Sequence, residues 1–92
     1  MGAGENILKL TDKDIEEYID IFRAHLMSAI KKHRGGDLLF TNHHEAYGVL
    51  AEEVHELLHA IQSNDKKEIA DEFMDVMISS FWGFASIVER MD

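Results

Sequence analysis

The sequence predicts an all-α fold: an antiparallel helical bundle with three main helices per chain, completed by oligomerisation. Three observations carry this reading. The 92 residues include no proline, which leaves long helices uninterrupted. Three stretches place apolar residues at helical spacing, and each opens on a residue suited to capping a helix start. The last stretch is apolar on every side in its second half. A helix of that kind is buried all round, and so short a chain needs another subunit to cover it.

The first helix is expected to start at Thr11. Thr11-Asp12-Lys13-Asp14 has capping-box form, with Asp in place of the usual Glu. Ile15, Tyr18, Ile19, Phe22, Leu26, Ala29 and Ile30 make its apolar stripe. Acids crowd its start and Lys31, Lys32, His33 and Arg34 its end, which complements the helix dipole. Gly35-Gly36 stops it. Asp37-Leu38-Leu39-Phe40 reads as a short loop whose apolar residues dock on the core. Residues 1–10 read as a loose tail on a single domain spanning residues 1–92.

The second helix starts at Asn42, with Glu45 at capping-box spacing. At roughly 100° per residue, Ala46, Leu50, Leu57 and Ile61 form one stripe. Ser63-Asn64-Asp65 is the turn, and Asp65 with Glu68 caps the third helix. Its stripe is Ile69, Phe73, Val76, Met77, Ser80, Phe84 and Ile87. Met74, Ile78, Phe81, Trp82, Ala85 and Val88 add an apolar girdle on its other faces, expected to meet a partner subunit. Gly83 weakens the helix and is read as marking a close crossing.

The totals exclude several classes. A net charge of −9 argues against a nucleic-acid polymer as partner. With no cysteine there is no disulfide framework and no thiolate metal site. No apolar run spans a bilayer, and Met1-Gly2-Ala3-Gly4-Glu5-Asn6 carries neither a secretory nor a myristoylation pattern. A cytoplasmic protein without membrane contact is the expectation.

The anomaly lies between Glu52 and Asp75. Glu53 falls inside the apolar stripe of the second helix, between Leu50 and Leu57, and Glu56 lies at its edge. Glu72 and Asp75 repeat the three-residue spacing on the third helix. Residues three apart share a helix face. Two antiparallel helices therefore bring four carboxylates to one spot, which is costly unless a cation sits among them. Hard oxygen ligands suit Mg²⁺, with Mn²⁺ possible. The bland alternative pairs Glu53 with a base, and only Lys66 and Lys67 are near in sequence.

Other motifs compete. His55-Glu56-Leu57-Leu58-His59 matches the HExxH zinc signature, but both histidines fall opposite the Leu50/Leu57 stripe, on the side expected to meet water. A ferritin-like di-iron centre wants Glu-x-x-His pairs, and no histidine lies three residues after Glu53 or Glu72. The basic run at Lys31, Lys32 and Arg34 is either dipole complementation or a phosphate grip. His43 and His44 sit in the first turn of the second helix, where they are solvated or touch a nucleotide.

Glu52-Glu53-x-x-Glu56, fifteen intervening residues, then Glu72-x-x-Asp75 resembles the EExxE…ExxD signature of MazG-like all-α nucleoside triphosphate pyrophosphatases. The flanking Leu50-Ala51, Leu57 and Ala60-Ile61 fit as well, and the likeness runs from about Asn42 to Ile87. The resemblance implies a metal bound by Glu53, Glu56, Glu72 and Asp75. It implies hydrolysis of (deoxy)nucleoside triphosphates to monophosphate and pyrophosphate, as in nucleotide-pool house-cleaning. It also implies dimers or tetramers. Glu52 or Glu53 then orients or deprotonates the attacking water. His44, Lys31, Lys32 and Arg34 are candidates to hold the substrate. The competing class is a non-catalytic, metal-stabilised helical oligomerisation or binding module.

Overall fold

Each helix begins where the sequence supplies a side chain for its free backbone N–H groups. The structure, a computed structural model, describes residues 9–32 and 39–90. It contains α1 (Asp12–Lys32), α2 (His43–Ser63) and α3 (Lys66–Glu89), and no strand among the described residues. At α1 the box closes both ways: Asp14 N donates to Thr11 Oγ1 and Thr11 N donates to Asp14 Oδ2. At α2, Asn42 Oδ1 accepts from Glu45 N, while Glu45 reaches one residue past the cap to accept from Thr41 N. At α3, Asp65 Oδ1 accepts from Lys67 N and Glu68 N. The readings of the N-terminal tail to residue 8, His33, Arg34, the Gly35-Gly36 stop, Asp37 and Leu38 lie outside the described residues.

Asn64 ends α2 with φ 61°, the left-handed conformation that asparagine tolerates better than most side chains. Only Asn64 and Asp65 separate α2 from α3, so the two pack as an antiparallel hairpin. The seam on α2 is Ala46, Leu50, Glu53, Leu57 and Ala60, all half-buried or buried. Ile61 was expected there too, but one residue beyond Ala60 it has rotated past the seam and is exposed. Beside Gly83 the helices are close without being tight. A methyl group there would meet Ala46 Cβ at 3.8 Å, an ordinary contact.

The faces of α3 depart in large part from the sequence expectation, although Ile69 and Val76 of the expected core stripe are half-buried and Val88 of the expected girdle is exposed. Phe73, Met77, Ser80, Phe84 and Ile87, expected to face the core, are exposed in the single chain. The expected partner-facing girdle is half-buried at Met74, Ile78, Phe81 and Trp82. The reason is that α1 docks there, with Phe22 edge-on to Phe81 at 6.4 Å between ring centres. A helix apolar all round gives periodicity no means of telling which side its own chain covers.

Phe40 closes the open end of the hairpin. Its N–H donates to Ser86 Oγ at 2.8 Å, and Ser86 Oγ donates to Trp82 O at 2.7 Å. Ser86 is 2% exposed. The expectation that the loop apolars dock on the core holds for the half-buried Leu39 and Phe40.

Little else is enclosed. Leu26 and Ala60 are the buried apolar residues among those described, and α1 meets α3 over a short stretch. The Cα radius of gyration is 16.1 Å, against about 12 Å for a compact chain of this length. Leu10, Ile15, Tyr18, Ile19, Phe22 and Met77 line an apolar groove between α1 and α3. No helix among the described residues is long and apolar enough to cross a membrane.

Candidate metal centre

The hairpin carries the acids of α2 onto those of α3. Glu53 lies in the α2 seam and Glu56 follows one turn later. Glu72 stands on the facing side of α3, nearly two turns after its start. One carboxylate oxygen from each of Glu53, Glu56 and Glu72 lies within 4.8 Å of the others. Asp75, one turn along α3 from Glu72, is outside that group of three but couples to it electrostatically.

The electrostatics are those of acids held together with no ion-pair partner among the described residues. Desolvation, then the neighbouring charges of Glu56, Asp75 and Glu72, push the Glu53 carboxyl up to about 6. Desolvation and the Asp75 and Glu56 charges raise Glu72. Desolvation with Glu56 and Asp71 raises Asp75, opposed by His25 on α1. Glu53 Oε2 and Glu72 Oε2 are buried and have no hydrogen-bond partner among the described residues. Buried carboxylate oxygens left bare are expensive, and a cation between them removes the cost.

The base-pairing alternative for Glu53 is not found. Lys67 Nζ lies 2.9 Å from Asp71 Oδ2 on the exposed side of α3, and no base among the described residues bridges Glu53. The donor set fits a hard divalent ion: carboxylates alone, at chelating separation, with bare oxygens facing inward.

The remaining expected site residues are dispersed. Glu52 is exposed and outside the carboxylate group. His44 is exposed, its ring 4.5 Å from that of His43. Nine residues separate it from Glu53, or about 14 Å along the helix axis. Lys31 and Lys32 are exposed at the end of α1, and Arg34 lies outside the described residues. His25 was not anticipated. It is fifty residues from Asp75, on a helix whose packing partner the sequence does not specify, so no local pattern marks it.

The HExxH histidines are exposed on α2, and Glu56 between them belongs to the carboxylate group instead. A zinc-protease arrangement needs Glu56 as a base beside metal-bound histidines, and here it turns to other acids.

Two helices of one hairpin each deliver carboxylates to a shared point, which defines a class of all-α arrangement whose oxygen donors suit a hard cation. Residues 40–91, more than half of the chain, match the MazG nucleotide pyrophosphohydrolase domain. The chain belongs to the MazG family. No curated protein and no solved structure matches it.

Proposed function

We propose that this protein hydrolyses (deoxy)nucleoside triphosphates to the monophosphate and pyrophosphate, with Mg²⁺ held by Glu53, Glu56, Glu72 and Asp75. Mn²⁺ would serve the same ligands. The observation that carries the reading is the convergence of Glu53, Glu56 and Glu72 with two buried, unpartnered carboxylate oxygens. Family membership supplies the reaction type. Bound Mg²⁺ supplies neutralisation of the triphosphate charge and activation of water.

This chain's residues do the rest. The hairpin fixes the carboxylate spacing, so the site is preorganised on two helices and not on a loop. Glu53 sits within the cluster and Glu52 outside it, which favours Glu53 to orient the attacking water and take its proton. Water adds across the bond between the α- and β-phosphates; one proton leaves with the enzyme base, and pyrophosphate departs. A groove of about 430 Å³ between α2 and α3 begins one turn from Glu53 and Asp75, with Tyr47, Leu50, Ser79 and Phe84 on its walls. Its size and apolar lining suit a nucleoside. Lys31 and Lys32 stand exposed at the end of α1 and His44 at the start of α2, and in this reading a neighbouring subunit brings part of the phosphate grip.

The working unit is then a homo-oligomer, a dimer or a dimer of dimers. Ile15, Tyr18 and Ile19 of α1 and Phe73, Met77 and Phe84 of α3 are exposed in the single chain, more apolar surface than a monomer carries comfortably. This revises the interface expected from sequence, since the girdle at Phe81 and Trp82 is covered by α1.

Incubating the protein with Mg²⁺ and a panel of nucleoside triphosphates, with products separated, tests the reading. Monophosphate and pyrophosphate are expected, from a particle of at least two chains by light scattering. Orthophosphate as the first product would sink the pyrophosphohydrolase assignment. No turnover on any substrate would favour the non-catalytic binding module.

A further inference from the structure

The metal centre uses Glu56 but leaves the two histidines that flank it unexplained. His55 and His59 stand one turn apart on α2, so their side chains lie one above the other on the same face. Their ring centres are 4.7 Å apart with the planes at 78°. His59 Nε2 and His55 Nε2 are 3.1 Å apart, a separation at which the N–H of one ring donates a hydrogen bond to the other. At this separation both can turn lone pairs to a shared ion once that N–H proton is lost or moved to Nδ1. Both rings are exposed, and neither Nε2 has another protein partner among the described residues.

Two converging imidazole nitrogens are a chelate. With Zn–N near 2.0–2.1 Å, a tetrahedral ion holds two ligand nitrogens roughly 3.3–3.4 Å apart. A square-planar ion with cis nitrogens at similar bond lengths holds them about 2.8–2.9 Å apart. The observed 3.1 Å lies between these values, so small rotamer adjustments admit either geometry. The pair sits in the middle of a 21-residue helix, so its backbone is held in place before any ion arrives. Glu52, three residues before His55 and outside the carboxylate group, is exposed and adds negative charge to the approach.

We propose that His55 and His59 form a second metal site, for a late first-row divalent transition ion such as Zn²⁺, Ni²⁺ or Cu²⁺, independent of the carboxylate centre. Ligand chemistry sorts the two. Imidazole nitrogens select late transition ions, while carboxylate oxygens alone suit Mg²⁺. Remaining coordination positions are open to water because the rings are on the surface. The ion bridges one turn of α2, the turn that also carries Glu56.

The test is calorimetric titration of ZnCl₂ into the full chain with Mg²⁺ saturating, alongside electron paramagnetic resonance of the Cu²⁺-loaded protein. Expected are one tight transition ion per chain and a Cu²⁺ spectrum with two equatorial nitrogens. His59→Gln and His55→Gln should each weaken Zn²⁺ binding about tenfold or more. Both should keep the parent's helical circular dichroism and its melting gain from Mg²⁺. Glu53→Gln and the double change His43→Gln with His44→Gln should leave Zn²⁺ binding as in the parent. Parent-like Zn²⁺ affinity in His55→Gln and His59→Gln would overturn the proposal. So would a single-nitrogen Cu²⁺ spectrum, or Zn²⁺ binding that disappears with Glu53→Gln. Each arm reads binding and not turnover, so failure here leaves the pyrophosphohydrolase reading standing.

Discussion

Replacing Glu53 by Gln removes one charge from the carboxylate cluster and keeps the side-chain shape. In the metal-free protein the folded state holds this carboxyl at about 6, against an ordinary 4.5. At ~1.4 kcal/mol per tenfold in proton affinity, the ionised form costs the fold ~2 kcal/mol. Solvent screening at this half-buried position lowers that to ~1 kcal/mol. The sign follows from proton counting. Between pH 4.5 and about 6 the folded chain binds more protons at Glu53 than the unfolded chain does, so stability falls as pH rises through that window and then levels. Glu72 and Asp75 are raised as well and act in the same direction.

Glu53→Gln is therefore expected to melt above the parent in EDTA at pH 7.5, by ~4–8 °C for a domain of this size. The two should converge near pH 4.5, where the parent carboxyl is itself protonated. With Mg²⁺ at 100 times its dissociation constant the parent gains about 2.7 kcal/mol at one site, and the variant gains little. The variant should lose most activity. Thermal melts at one fixed protein concentration, with EDTA and with Mg²⁺, across pH 4.5–8, provide the check. A variant that melts lower than the parent in EDTA would refute the reasoning, because it would mean that the surroundings of Glu53 stabilise its carboxylate and do not penalise it.

Two further changes probe the scaffold. Ser86→Ala removes the acceptor of the Phe40 N–H in a part-buried place and should cost about 1–2 kcal/mol. Faster amide exchange at Phe40 should accompany it, and unchanged protection there would show that Ser86 does not anchor the loop. Gly83→Ala places a methyl group at ordinary contact distance from Ala46 and removes a helix-weakening glycine, so it should stabilise by about 0.5–1 kcal/mol. A lower Tm would mean that another surface fills the groove beside Gly83.

Much of this molecule is local chemistry and can be read from the chain. The three helix starts follow from Thr11, Asn42 and Asp65, because capping is settled within four residues. The carboxylate centre is legible because Glu53 breaks an apolar stripe and Glu72 recurs on the next helix. A two-residue turn then leaves one way for those helices to pack. Tertiary structure decided what depends on contacts between distant segments. It placed α1 on the Phe81 face of α3 and so covered, within the chain, a face expected to meet a partner subunit. It put His25 within electrostatic reach of Asp75, left Glu52 outside the cluster, and tied Phe40 to Ser86 across 46 residues. Helical periodicity tells which residues share a face, but not which neighbour covers that face. Where α3 is apolar on every side, only packing can choose.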